Sequence, residues 1–286
     1  MRRVPAALRR LVLPEPRGPL SAHVIDALGG PVRRLEHHPD VSGDALAGDD
    51  FHLALYLCYE VHYADAGDPG WEWEPTLLEF RRTLEDAFEK DLVTSLSPGT
   101  LDGDLPARLI ALARSEDGRS LSRYLAGDPT FDRVTELVIH RSAYHLKEAD
   151  PHSWAIPRLT GAAKAALVEI QADEYGGGDP ASMHSALFAQ TMRALGLDDT
   201  YGAYLSRLPG ITFANVNLMS MFGLHRRWRG AAAGHLALFE MTSTEPNRRY
   251  GDALRSLWFG TKATAFYDEH VEADAVHENV AAFDLA

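Results

Sequence analysis

Cysteine is nearly absent: Cys58 stands alone in 286 residues. No disulfide can form within the chain, which suits a reducing cytoplasm. No apolar run is long enough to span a bilayer, so no membrane partner is expected. Positive charge is also short. Against 41 Asp and Glu there are 28 Lys and Arg, a net charge of −13 that repels phosphate and speaks against a nucleic-acid partner. Missing too are alternating Val/Ile/Thr-rich segments, repeats with a period of about 33 or 40 residues, and low-complexity linkers.

What remains is helical periodicity. Apolar stripes at helical spacing run through 49–65, where Asp49 and Asp50 precede the stripe, and through the stretch opened by Pro75 and Thr76. They recur at 105–116, 130–148, 161–175, 181–195, 212–222, 229–241 and 247–258. The breaks between them are short: DGD at 102–104, GDP at 127–129, GGGDP at 176–180, LPG at 208–210 and TSTEP at 242–246. The expected class is all-α. Four arginines among the first ten residues cut the only early apolar run, so 1–18 reads as a basic arm rather than a secretion signal. Residues 19–286 then form one multi-helix domain with extra N-terminal helices.

Near the C-terminus, FYDEHVEADAVHE places His270, Asp274 and His277 four and seven residues apart. On a helix these lie within about 60° of one another, so two imidazoles and a carboxylate share one face. That pattern alone is more often a solvated face, as Asp268, Glu269, Glu272 and Glu278 are expected to be. A second block, 145–188, adds Glu148 at the end of an apolar helix, Glu174 before three glycines, and His184 in a further apolar segment. Each has a bland reading: a helix-end charge, an exposed C-terminal residue, a satisfied core histidine. Together they make three carboxylates and three imidazoles, and a charged group in an apolar stripe is costly unless it is paired or coordinated. Mixed nitrogen and oxygen donors without thiolate suit iron or manganese. Helical bundles hold two irons with inward-facing donors of this kind.

In order and with their flanks, these six positions resemble the haem-oxygenase-like diiron oxidases and oxygenases, also described as iron-containing redox enzymes. That family's pattern is a Glu on one core helix, a Glu and a downstream His next, and H-x3-D-x2-H on the last. The stretches LHRRWRG at 224–230 and GHLALFEMTS at 234–243 are similar to it as well. The resemblance covers about 130–280. It implies a haem-oxygenase-like bundle without haem, metal ligands Glu148, Glu174, His184, His270, Asp274 and His277, two iron ions with manganese as a substitute, and O2 as co-substrate. The implied reactions are N-oxygenation of an amine- or carboxylate-bearing metabolite, desaturation, or C–C cleavage of an amino or fatty acid, in natural-product biosynthesis. A small-molecule substrate, an electron donor and a second copy of the chain are the partners it allows.

Around the six, Glu169, Gln171, His145, His152 and His225 are candidates to orient ligands, whereas Asp173 turns about 100° from Glu174. Arg226, Arg227 and Arg229 can grip a substrate carboxylate, or can serve as ordinary surface cations. Two other readings compete. Cys58 and His62 share a helix face, as a nucleophile and its base would, although LALYLCYEV reads as packed core. A non-catalytic metal-braced bundle is the third, against which stands the lack of thiolate ligands.

Overall fold

The computed structural model describes residues 9–96, 104–115 and 118–285, with the side chains of 274–279 outside the description. Among the described residues there is no strand, only an isolated bridge pairing Arg10 with Asp65. The chain is all-α, as expected. Its contacts sort into two compact units: the chain up to residue 98 with Thr200–Leu218, and Gly99–Asp199 with Met219–Ala286.

The first unit is built from α1 (Pro19–Leu28), α2 (Asp49–Glu60) and α3 (Pro75–Ser95). α2 is buried on all sides from Phe51 to Glu60, so it forms the centre of this unit. Asp50 in its first turn accepts from the backbone N–H groups of Leu20 and Ser21, at 3.0 and 2.8 Å, and so satisfies orphan donors of α1. α3 starts where Pro75 fixes the backbone and the Glu74 side chain accepts from Thr76 N–H. Of the basic arm, residues 1–8 lie outside the described residues. Its remainder is tied down: Leu11 is buried and its N–H donates to the Asp65 carbonyl.

The second unit holds α4 (Leu105–Ala113), α5 (Leu121–Gly127), α6 (Phe131–His145), α7 (Asp150–Ser153), α8 (Gly161–Glu174) and α9 (His184–Ala194). After α10 (Gly210–Leu224), whose residues divide between the units at Leu218, come α11 (Arg229–Thr242), α12 (Thr244–Ser256) and α13 (Thr261–Val280). Small residues let helices approach closely here. Ala166, Ala232, Ala233, Ala237, Ala281 and Ala282 pack with Leu167, Ile170 and Leu236 in one core where α8, α11 and the C-terminal turn meet. No helix among the described residues is long and apolar enough to cross a membrane.

Candidate metal centre

Each element of the centre ends or bends where a ligand candidate is needed. α6 is capped by the Thr130 hydroxyl, which accepts from Arg133 N–H, and stops at His145. The following turn carries Glu148 and passes through Ala149 at φ 74°, a left-handed conformation unusual for a residue with a Cβ. Gln171 Nε2 donates to the Ala149 carbonyl at 2.8 Å and pins that turn to α8. Glu174 is the last residue of α8 and His184 the first of α9. Between them Gly176, Gly177 and Gly178 all take positive φ. A Cβ on Gly176 would fall 2.6 Å from Met183 N, so only glycine lets the chain fold back here.

Glu148, Glu174, His184 and His270 are all buried. One donor atom each from Glu148, His184 and His270 lies within 4.8 Å of the others. Glu174 joins through His184: its Oε2 is 3.0 Å from His184 Nδ1, yet neither atom has a hydrogen-bond partner. Glu148 Oε2 is also buried without a partner. Buried polar atoms that crowd together without bonding one another are what remains when the group they converge on is a cation. His270 donates Nδ1–H to the Phe266 carbonyl at 2.8 Å, since a carbonyl only accepts. Its Nε2, 3.7 Å from Glu148 Oε1, is the nitrogen left to face a cation when the ring is neutral. Two carboxylates and two imidazoles turned inward fit an iron site.

Electrostatics agree. Burial opposes ionisation of Glu148, but the neighbouring His145 and His270 imidazoles hold its carboxyl well below the usual range. Burial drives the Glu174 carboxyl upward. Burial works against charge on His184 too, but the Glu174 carboxylate beside it outweighs that and raises its affinity for a proton. The Glu174–His184 pair thus favours sharing a proton at the place where a metal ion would instead supply the positive charge.

Of the expected ligands, four are brought together. Asp274 and His277 follow on α13, but their side chains lie outside the described residues. His145 Nδ1 bonds Glu148 Oε1 at 2.7 Å, the orienting contact expected of a ligand's neighbour. His152 is buried, with Nε2 3.2 Å from His235 Nδ1, and burial pushes it down to about 3. Glu169 and Asp173 are exposed. Arg226, Arg227 and Arg229 are exposed as well, and none lines the cavity beside the centre. Cys58 is 1% exposed and burial pushes its thiol up to about 12, so it is not a thiolate nucleophile near neutral pH.

That cavity, of about 250 Å³, opens onto Glu148, Glu174 and His270. Its lining includes residues the sequence reading passed over: Arg141, Glu240, Asn247, Tyr250 and Tyr267. One signal was present, because Arg141 precedes His145 by four residues and Glu148 by seven, a single helical face.

Residues 135–286, just over half of the chain, match the family of iron-containing redox enzymes. The chain belongs to that family. All four gathered ligand candidates fall within the matched residues, as does the C-terminal H-x3-D-x2-H pattern. Membership makes the protein an oxidoreductase, and the haem-oxygenase-like fold matches its all-α architecture. Nitrosourea synthase from Streptomyces achromogenes subsp. streptozoticus is 26% identical over 136 residues, 48% of this chain. The matched stretch covers 29% of that protein, so the chain spans less than a third of the curated relative it resembles.

Proposed function

We propose that this protein is a non-haem diiron oxygenase that uses O2 to oxidise a small amine- or carboxylate-bearing metabolite, with nitrogen as the favoured site of oxidation. The observation that carries this reading is the buried cluster of Glu148, Glu174, His184 and His270, whose donor atoms crowd together without satisfying one another. Asp274 and His277 complete a six-ligand set for two irons, with manganese as a substitute and no haem. Similarity to a nitrosourea synthase, whose name denotes a product with oxidised nitrogen, favours N-oxygenation over desaturation or C–C cleavage.

When bound, iron supplies the electrons and open coordination positions that O2 activation needs. The protein's own residues do the rest. His145 holds Glu148 Oε1 and sets the direction of that carboxylate. Phe266 fixes the His270 tautomer through its carbonyl. Phe188 and Phe266, both buried, pack against His145 in tilted and edge-to-face contacts and exclude water from that side. The cavity admits a substrate of a few heavy atoms beside the ligands. A single, buried cysteine fits a cytoplasmic setting.

The test is product analysis after single turnover of Fe(II)-loaded protein with 18O2 and a panel of amines and amino acids. Label in a nitrogen–oxygen bond supports the assignment. Alkene or shortened-chain products would move it to desaturation or C–C cleavage, and no O2 consumption with any substrate would defeat it.

A further inference from the structure

We infer that Arg141 is the specificity-determining residue of the cavity and anchors the substrate through a carboxylate. The inference rests on the reading of that cavity as the substrate site. Among the described residues that line the cavity, Arg141 supplies the only Lys or Arg side chain, and it is half-buried. The Tyr250 hydroxyl is within reach of its guanidinium as an acceptor, and Tyr267, fully packed, stands close enough for the guanidinium charge to act on it. Among the described residues no carboxylate pairs with it. A guanidinium has five N–H donors in a planar fork, and one bond to a tyrosine leaves most of them for a planar anion.

The surroundings make such a cation unusual. Several arginines of this acidic protein sit against a carboxylate: Arg133 with Asp128, Arg193 with Asp199, Arg255 with Asp252 and Asp268. Arg141 instead faces a cavity whose other charged groups are Glu148 and Glu174 at the metal centre and the buried Glu240. Its place on α6 sets the reach. One turn, about 6 Å, separates it from His145, which touches Glu148. A carboxylate held at Arg141 therefore directs the far end of a short chain toward the metal ligands. Glu240 in the same lining gives a cationic group such as an ammonium its counter-charge.

Calorimetric titration of the protein, without added metal and with Mn(II), reads this without turnover. The probes are valerate, its uncharged isostere valeramide, and norvaline. Wild-type protein is expected to bind valerate and to discriminate against valeramide by about tenfold or more. Arg141→Gln should abolish that discrimination, Arg141→Lys should keep part of it, and Arg133→Gln on the same helix should leave it intact. Tighter binding of norvaline than of valerate, lost in Glu240→Gln, would identify an α-amino acid as the source of the carboxylate; equal binding would identify a simple aliphatic acid. Equal binding of valerate and valeramide to wild type, discrimination that survives in Arg141→Gln, or no binding of any probe with or without Mn(II) would overturn the assignment. Because no O2 is consumed, failure of the oxygenase reading leaves this result standing, and the reverse also holds.

Discussion

His145 carries more weight than its place outside the ligand set implies. Among the described residues its bond to Glu148 Oε1 holds that carboxylate in direction, while Oε2 has no hydrogen bond. His145→Ala should weaken metal binding roughly 10- to 100-fold without changing the number of ions bound, measured by anaerobic Fe(II) or Co(II) titration. The first unit offers a separate test in His52. Its Nε2–H donates to the Ala45 carbonyl and its Nδ1 accepts from Asn217 Nδ2, so both nitrogens are satisfied only while the ring is neutral. Burial pushes His52 down to about 4 from an ordinary 6.5. The unfolded chain then binds the proton first, and stability falls as pH drops from about 6.5 to 4, by about 3 kcal/mol in all. The His52 ring resonance should show no titration above pH 5, and denaturant melts should lose stability over that window. A His52 midpoint near 6.5 would contradict the account.

At the scale of elements, sequence and structure agree where local chemistry decides and part where tertiary contacts do. Helical periodicity with Pro75 and Thr76 marked α3, and periodicity over 130–148 marked α6, because such signals act within one turn; the caps at Glu74 and Thr130 came with the structure. The triple glycine was legible as a break, and its geometry follows from positive φ at each position. That Glu174 and His184 face each other across it is a tertiary fact, as is the clustering of His152 with His235, 83 residues away. Arg226, Arg227 and Arg229 drew attention through local density, whereas the cation that reaches the cavity, Arg141, has no basic neighbour beside it in sequence but His140. Gly176→Ala should therefore cost roughly 1–3 kcal/mol and reduce metal affinity, since it strains the turn that sets His184 against Glu174. Gly177→Ala, whose Cβ meets nothing within 4 Å, carries only the strain of its positive φ and should perturb the site less. Thermal melts and metal titrations of the pair separate the two effects; equal losses of metal affinity would argue against the turn's role.

For the whole molecule, the family match covers 135–286 and leaves α1, α2 and α3 outside it. Cys58 in α2 should therefore be dispensable for chemistry: Cys58→Ala is expected to cost about 1 kcal/mol in stability and to leave O2 consumption unchanged. Iron binding should act in the opposite sense. Saturation at a hundred times Kd adds about 2.7 kcal/mol, which raises Tm by roughly 4–5 °C for a chain of this size. The proposed two-iron centre draws Glu148, Glu174, His184, His270, Asp274 and His277 from the second unit. Anaerobic Fe(II) titration followed by rapid mixing with O2 tests it most directly. The account predicts two irons per chain and an O2-dependent transient absorption, both lost in Glu174→Ala and in His277→Ala. Binding of a single iron, or iron that stays inert to O2, would contradict it.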